Sequence, residues 1–408
     1  MVTATLGIIQ YGTAISIRTK LNTIADAAAL QAVSSTAAVT YVTSGTTGQT
    51  NATNMFNAQA ASVKGATISS LNVSVVPVAS TSTALGTLTA TVSYTATISS
   101  LAPGIFGSYF TSVSGTSKAN ATLPAYANFY LLLDNSPSMG IGATTTDIAN
   151  IGAVNNGCGF ECHSPDAYQG GYPGYTNGNV SGVTTRLMAL QTAVQQIITL
   201  AQNNQIVSGQ YQFAVYTFNN TVTKISGLSS NFSQISSDVG TPGQSGGIQL
   251  PTTDQGTQIA DAVYWLTQNV VASSAGNGTK NSPYQFVFLV TDGAEDHAFG
   301  YTPGSYDTLA SPQGTWNGTA YGSVMEWSPV CTNLQKSATV AVIYTTYDNV
   351  GGVQYTDMVA PFVNNIAGAL QSCASSGFFL QADNGSSIQT AMQTLFKQAL
   401  QQTAHLSQ

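Results

Sequence analysis

The sequence predicts an α/β protein built on a doubly wound, mostly parallel sheet, preceded by a long N-terminal helix and a small β-rich layer. From residue 126 onward, apolar segments of strand length alternate with amphipathic segments of helix length, which is typical of a parallel sheet covered by helices. Residues 284–291, YQFVFLVT, are almost uniformly apolar, as expected for a central strand that is covered on both faces. Upstream of residue 126, a helical apolar spacing gives way to period-two alternation.

Residues 1–45 are predicted to form the N-terminal helix. Apolar side chains recur at helical spacing from Ile15 to Leu30, and Arg18 and Lys20 stand where a helix would leave a membrane. The apolar stretch before them is shorter than the roughly 20 residues that cross a bilayer, so we expect the far end of a truncated membrane anchor. An ordinary buried helix with two solvated bases is the alternative.

Residues 46–125 are predicted to form the small β-rich layer. Two segments, ATISSLNVSVVPVA and GTLTATVSYTATISS, alternate between apolar and polar residues and are rich in Thr, Val and Ile. Neither segment carries a group of side chains that indicates chemistry. We therefore expect a structural layer that packs on the helix.

Residues 126–408 are predicted to form the doubly wound domain. Its predicted strands are residues 126–133, 210–218, 284–291, 339–346 and 378–382. Its predicted helices are residues 183–202, 257–271, 359–370 and 386–401. Two irregular inserts, at about residues 141–182 and 294–329, follow the carboxyl ends of strands, where the ligand-binding loops of such sheets lie.

Charged residues make up only 6% of the chain, against about 25% in an average soluble domain. Thr, Ser, Asn, Gln and Gly must therefore form most of the surface, which favours an extracytoplasmic protein with a tendency to self-associate. Residues 1–124 hold four bases and one acid, whereas the remainder holds fifteen acids and five bases. The acidic excess of the second part favours a cation as ligand and argues against nucleic acid.

The segment FYLLLDNSPSMG contains the strongest chemical signal. An apolar strand ends on Asp134, and Ser136 and Ser138 follow at alternate positions. Thr257 at the start of a predicted helix and Asp292 at the end of the most apolar strand offer oxygen atoms at the same edge of the sheet. Carboxylate and hydroxyl oxygens are hard donors, which suit Mg²⁺ first, with Mn²⁺ or Ca²⁺ as alternatives.

These five residues resemble the metal-ion-dependent adhesion site of von Willebrand factor type A (vWA) domains. In that family DxSxS ends the first strand, a Thr starts a later helix, and an Asp lies in a strand-end TDG, and all three pieces are present here in order. The resemblance implies that Ser136 and Ser138, and often Thr257, ligate the cation, while Asp134 and Asp292 act largely through water. It also implies an open position on the cation, which takes a carboxylate from a partner protein.

The sequence differs from compact members of that family in one feature, and the resemblance has one alternative interpretation. The insert after residue 140 widens the spacing between Ser138 and Thr257 relative to compact family members, and it could cover the open position. A degenerate domain is the alternative, because Ser, Thr and Asp also serve as helix caps and turn residues.

The N-terminal segment YGTAISIRTKLNTIADAAALQAV resembles the start of TadG-like proteins of the tight-adherence (Flp) pilus assembly system. The matching residues are Arg18, Leu21, Asn22, Ala25, Asp26, Ala27, Ala28, Ala29 and Leu30. The segments NGCGFECH and LQSCASSGFFLQADNGSSIQTAMQTLF also resemble the vWA part of that family. The resemblance implies a bacterial envelope protein that is anchored in the inner membrane, exposed to the periplasm or outside, and partnered by pilus or other envelope components.

Four cysteines, an even number, favour two disulfides in an oxidising compartment, with inert thiols as the next possibility. We expect the pairs Cys331–Cys373 and Cys158–Cys162, since Cys331 precedes a predicted strand and Cys373 ends the helix that follows. A zinc site formed by Cys158, Cys162 and His163 is a further alternative that lacks an evident fourth ligand.

We expect no enzymatic activity, because the acids are not accompanied by a nucleophile with its base or by a phosphate-binding loop. Glu295, Asp296 and His297 are expected to form a solvated loop. The leading hypothesis is a cation-dependent adhesion module of an envelope-anchored protein that acts in Flp/Tad pilus assembly or surface adhesion. The alternative is a structural, pilin-like or filament-associated subunit whose vWA head is dispensable for assembly.

Overall fold

The computed structural model shows a chain that divides into two compact units, residues 1–125 and 126–405. The helical region and the β-rich region, which the sequence analysis separated at residue 45, lie together in the first unit. The structure describes residues 2–78, 86–154, 159, 182–251, 256–296, 312–316, 319–320, 322–324, 328–349 and 355–405.

The first unit packs helices against an antiparallel sheet with strand order β1-β2-β3. Its elements are α1 (Val2–Ala32), α2 (Ser35–Ser44), α3 (Gln49–Ala60), β1 (Ala66–Val78), β2 (Thr87–Ser99), α4 (Pro103–Phe106) and β3 (Tyr109–Thr122). The central strand β2 alternates strictly between buried and half-buried residues, which matches the period-two pattern of its sequence. Its buried side chains form one core with those of α1 and α3.

The helix α1 buries a stripe of mostly small side chains at helical spacing. The stripe consists of Ala14, Ile17, Leu21, Ala25, Ala28 and Ala32. Two polar residues of α1 are hydrogen-bonded to the sheet: Asn22 Oδ1 accepts a hydrogen bond from Tyr94 Oη at 2.7 Å, and Asp26 Oδ1 accepts one from Ser117 Oγ at 2.6 Å. In the described residues, no helix combines the length and the apolar character needed to cross a membrane.

The second unit contains a six-stranded, mostly parallel sheet covered by helices, which confirms the predicted fold class. Its elements are β4 (Ala127–Asp134), a 3₁₀ turn (Pro137–Gly140), α5 (Thr145–Val154), α6 (Arg186–Asn204), β5 (Tyr211–Phe218), β6 (Val222–Ser229), α7 (Phe232–Val239), α8 (Ile259–Asn269), β7 (Tyr284–Thr291), β8 (Glu295–Asp296), β9 (Thr315–Trp316), β10 (Thr319–Ala320), β11 (Gly322–Ser323), α9 (Ser328–Ser337), β12 (Thr339–Thr345), a π-helical turn (Tyr355–Val359), α10 (Val363–Cys373), β13 (Phe379–Ala382) and α11 (Gly385–His405).

The sheet runs in the order β13-β12-β7-β4-β5-β6, and β6 alone among these strands is antiparallel to its neighbour. All eight residues of β4 and all eight of β7 are buried, as the apolar runs predict for central strands. On one face, the Phe129 ring lies 4.9 Å from that of Phe396 on α11. On the other face, Leu132 shares a core with α8, α9 and α10.

The structure differs from the sequence-based expectations in three regions of the chain. The edge strand β6 and the helix α7 were not predicted, because β6 is polar and largely uncovered and so gives no apolar run. The first insert is not wholly irregular, since α5 lies within it and buries Ile148 and Ile151. The short strands β8 and β11 pair within the second insert.

The expected Cys331–Cys373 disulfide is present and joins α9 to α10. Both cysteines are buried in the core between these helices and the sheet. The expected Cys158–Cys162 pair and the alternative zinc ligand His163 lie outside the described residues.

Candidate cation site at the carboxyl edge of the sheet

In the loop that follows β4, the side-chain oxygen atoms of the motif lie close together. Asp134 Oδ1 accepts a hydrogen bond from Ser136 N at 2.8 Å, and the hydroxyl oxygens of Ser136 and Ser138 are 3.0 Å apart. Pro137 starts the 3₁₀ turn that follows, where its fixed φ and missing N–H are tolerated. Asp134 and Ser136 are fully buried, whereas Ser138 is half-buried. The motif therefore holds a carboxylate and two hydroxyls in one small loop.

The neighbouring strand β7 brings a second polar pair to the same place. Leu133 on β4 is paired with Val290 on β7, so that the next residue on each strand meets at the edge of the sheet. There Thr291 Oγ1 donates a hydrogen bond to Asp134 Oδ2 at 2.6 Å, and Thr291 Oγ1 accepts one from Gly293 N at 3.0 Å. Thr291 is not among the predicted site residues, although it is the first residue of the TDG segment.

A buried arginine lies against Asp292. Arg186 Nη1 is 3.4 Å from Asp292 Oδ2, and Arg186 Nη2 donates to Thr346 O at 2.7 Å. The guanidinium carbon also lies 4.6 Å from the centre of the Tyr347 ring, a distance typical of a cation–π contact. Arg186 is 4% exposed and is the first residue of α6.

Sequence reasoning missed Arg186 as part of the site. The available signal was its position, because it is the one base between Lys118 and Lys224 and stands near the start of a predicted helix. A lone base in a segment so poor in charge is more readily explained by a buried partner than by a solvated surface. The partner itself, 106 residues away, is not apparent from any local pattern.

The buried carboxylates make this edge of the sheet strongly unfavourable for further negative charge. Burial, and then the charge of Asp292, raise the pKa of Asp134 to about 7, against the opposing effect of hydrogen bonds from Ser136 and Thr291. Two carboxylates in a water-poor site are stabilised when a cation lies between or beside them. The electrostatics therefore favour neutralisation of this edge by a proton or by a cation.

Thr257 lies in the same cluster of loops. Its N–H donates to Asp296 O at 3.1 Å, and its O accepts from Asp296 N at 3.2 Å, which ties it to the segment that follows Asp292. Gln258 N donates to the carbonyl of Asn219, whose side-chain amide lies 3.4 Å from Asn135 Oδ1 in the motif loop. The role of Thr257 as a cation ligand stays a prediction.

The expectation that Glu295 and Asp296 form a solvated loop is wrong. Glu295 is fully buried, and both of its carboxylate oxygens lie 3.2 Å from Ile259 N at the start of α8. An anionic group is stabilised there because the first N–H groups of a helix have no partner within the helix. Asp296 Oδ1 accepts a second hydrogen bond from Thr257 N at 2.5 Å. His297 lies outside the described residues.

Two of the five predicted residues, Ser136 and Thr257, do not serve as helix caps, whereas Asp134 and Asp292 each accept a hydrogen bond from the backbone N–H two residues later, as in a turn. Ser136 precedes the 3₁₀ turn without a capping hydrogen bond from its side chain, and Gln258 rather than Thr257 occupies the N-cap position of α8. Among the described residues, no three His, Cys, Asp or Glu side chains form a metal-binding group. A cation here would rely on the hydroxyls of Ser136, Ser138 and Thr257 beside Asp134 and Asp292, and it would add positive charge to that of Arg186.

The chain has no matching protein-family model and no matching curated protein. Among solved structures, proximal thread matrix protein 1 from the mussel byssus is 14% identical, with a TM-score of 0.36, and the match covers 68% of this chain and 48% of the mussel protein. A further structure of that mussel protein has a zinc-occupied MIDAS motif. This chain thus spans about half the length of that protein.

Two pilus proteins are also similar in structure. The vWF domain of the type V pili tip protein Mfa5 from Porphyromonas gingivalis is 9% identical, with a TM-score of 0.40, over 68% of this chain and 96% of that domain. The PilB minor pilin from Streptococcus sanguinis is 12% identical, with a TM-score of 0.36, over 81% of this chain and 78% of the pilin. At these identities and TM-scores, the similarities do not establish a shared function.

Proposed function

We propose that this chain is a non-enzymatic binding module of the bacterial cell envelope that holds a divalent cation, Mg²⁺ first, and through it binds a carboxylate of a partner protein. The observation that carries the proposal is the buried, acid-rich edge of the sheet, where burial and Asp292 raise the pKa of Asp134 to about 7. The ligands in this proposal are Asp134, Ser136, Ser138, Thr257 and Asp292.

The chemistry of the ligands favours binding to a partner over a purely structural metal. Neutral hydroxyls of Ser136 and Ser138 withdraw little of the cation's charge, so the cation stays attractive to an added carboxylate. Arg186 already neutralises part of the charge of Asp292. The cation would therefore keep more of its positive charge than it would in a cage of carboxylates.

The proposed location rests on chemistry of the chain. The Cys331–Cys373 disulfide is typical of an oxidising compartment, and the low content of charged residues suits an extracytoplasmic surface. The TadG-like motif of the N-terminal helix supports a role in Flp/Tad pilus assembly and attachment to the inner membrane. Pilus or other envelope components are the proposed partners.

Titration calorimetry with MnCl₂ and MgCl₂ tests the cation. The wild-type chain should bind one equivalent of cation, and Asp134→Asn should weaken binding at least about tenfold because it removes a charge at the site. Asp238→Asn is the matched control, since Asp238 lies on α7 and accepts a hydrogen bond from Gln234. Equal binding by wild type and Asp134→Asn would reject the site.

The open position is tested by the relaxation of water protons with bound Mn²⁺. A cation with an exchangeable water enhances the relaxation rate, and acetate should reduce this enhancement as its carboxylate replaces the water. An enhancement that is absent, or that acetate does not change, would show a closed site.

A structural subunit is the second candidate function. The observation that favours it is the first compact unit, in which α1 lies on a three-stranded antiparallel sheet with its own core. Deletion of residues 126–408 tests it: a truncated chain that still localises and assembles would make the vWA head dispensable for assembly. Loss of assembly, with the truncated unit folded by circular dichroism, would reject this alternative.

A further inference from the structure

One end of the first unit exposes a group of large apolar side chains, which we call the apolar end. It consists of Ile8, Tyr11 and Ile15 on α1 and of Leu101, Ile105 and Tyr109 in the segment that joins β2 to β3. Each of these side chains is 49–74% exposed. Scattered apolar residues on a surface need no explanation, but a group from two separate segments indicates an interaction surface.

Hydrogen bonds hold the two segments side by side. Gln10, which is 1% exposed, donates from Nε2 to Ser99 O at 3.1 Å, and its Oε1 accepts from Leu101 N at 3.1 Å. The segment closes on itself, since Ser100 N donates to Ser108 O at 3.1 Å. The apolar end is therefore a built feature of α1 and the β2–β3 segment together.

Exposed bases of the first unit lie next to the apolar end. Arg18 and Lys20 follow Ile15 on α1, and Lys64 adjoins Gly65, whose carbonyl accepts a hydrogen bond from Ser99 N at 2.9 Å. The one acid among residues 1–125 is Asp26, eight residues beyond Arg18 and so about 12 Å further along the helix. The apolar end thus carries a positively charged rim.

We propose that the apolar end docks onto a lipid bilayer that contains anionic head groups. Leu101, Ile105 and Tyr109 enter the interfacial region beside the first turns of α1, and the three bases meet the head groups. Apolar side chains with adjacent bases are the composition of interfacial membrane contacts. A second copy of the chain suits this surface less well, because a symmetric pair would bring two identical basic rims together.

This inference goes beyond the proposed cation site and beyond an anchor formed by a helix. A helical anchor needs no contribution from the sheet, whereas the hydrogen bonds of Gln10 fix the β2–β3 segment at the same level as the apolar part of α1. The segment is therefore a separate, testable membrane contact.

Sedimentation of the full chain with vesicles tests the proposal, with EDTA present so that the cation site is silent. The vesicles are phosphatidylcholine alone, or phosphatidylcholine with about a third phosphatidylglycerol. The wild-type chain should bind the anionic vesicles more tightly. The triple variant Leu101→Ser, Ile105→Ser, Tyr109→Ser should lose at least about tenfold in partition, because it removes the apolar contact and leaves α1 intact.

A matched control is available at the other end of the sheet. Val76 and Val78 are similarly exposed but lie some ten residues further along β1, roughly 35 Å from Gly65. The double variant Val76→Ser, Val78→Ser should therefore bind vesicles as the wild type does. The double variant Lys20→Gln, Lys64→Gln should bind the anionic vesicles less tightly, by about fivefold for each base removed. Its binding to the neutral vesicles should not change.

Three outcomes would overturn the proposal. The first is equal vesicle binding by wild type and the loop triple variant, which would assign binding to α1 alone. The second is equal binding to neutral and anionic vesicles, which would remove the role of the bases. The third is a dimer in light scattering that the loop variant abolishes while no vesicles are bound, which would assign the apolar end to a second copy of the chain.

Discussion

The two compact units use polar side chains in different ways. In the first unit, Asn22 and Asp26 on α1 each accept one hydrogen bond from the sheet, so that these polar groups fasten the helix in place. In the second unit, Asp134 and Asp292 are both fully buried, and Arg186 forms an ion pair with Asp292. The first arrangement is complete without a ligand, whereas the second holds more negative than positive charge.

This difference separates structural polar residues from candidate functional ones. A hydrogen bond between a helix and a sheet stabilises the fold by about 1 kcal/mol and needs nothing more. Two buried carboxylates disfavour the folded state unless a proton or a cation neutralises them.

Arg186→Met should destabilise the cation-free protein by about 3–5 kcal/mol, because it leaves the buried Asp292 without its partner. The same change should tighten Mn²⁺ binding at least about tenfold, since Asp292 no longer faces a competing positive charge. Urea unfolding without and with Mn²⁺ measures both effects. Arg186→Lys is the control that keeps the charge; a loss of both stability and Mn²⁺ affinity in Arg186→Met would contradict the prediction.

Asp134 should make the stability of the cation-free protein depend on pH. Its pKa is raised from 3.8 to about 7 on folding, so between these values the folded state holds a proton that the unfolded state has released. The free energy of unfolding should therefore fall as pH rises from 4 to 7, by up to about 4 kcal/mol from this group.

Asp134→Asn should remove the part of the pH dependence that comes from this carboxyl group. In the wild type, saturating Mn²⁺ should counteract the fall in the free energy of unfolding as pH rises. Urea unfolding at several pH values, with EDTA or with Mn²⁺, provides the comparison. A cation-free wild type whose stability rises over the same pH range, relative to Asp134→Asn, would show that Asp134 is ionised without a cation.

Gly293→Ala should cost about 2–4 kcal/mol. Gly293 has φ +75°, which favours glycine, and an added Cβ would overlap Ile366 Cγ2 and lie 2.8 Å from Leu370 Cδ1 on α10. Gly368→Ala is the control, on the helix α10 that carries Ile366 and Leu370. An added Cβ at Gly368 meets no atom within 4 Å, and alanine favours helices. Thermal unfolding should rank the control at or above the wild type and Gly293→Ala below it.

Tyr94→Phe should destabilise the first unit by about 1 kcal/mol, since Asn22 Oδ1 and Arg18 O lose their hydrogen-bond donor. It should leave Mn²⁺ affinity unchanged, because the first unit does not contain the cation site. The exposed Tyr109 provides the control Tyr109→Phe. A change of Mn²⁺ affinity in Tyr94→Phe would show that the two units are coupled.

Local patterns predicted most of the fold of the second unit. The apolar run of β7 and the alternation of strands and helices are local patterns that arise because parallel strands are covered on both faces. The observed strand bounds lie within one or two residues of the predicted ones. The polar edge strand β6 was missed, because an edge that pairs on one side needs no apolar sequence.

The sequence by itself determined that Asp134, Ser136 and Ser138 lie together, since they are neighbours in one loop and make their contacts locally. The tertiary structure decided what surrounds them. Arg186 meets Asp292 across 106 residues, and Glu295 is buried as the anion at the start of α8. These contacts depend on strand order and on burial, which set the local dielectric and the distances between charges, and neither quantity is encoded in a short stretch of sequence.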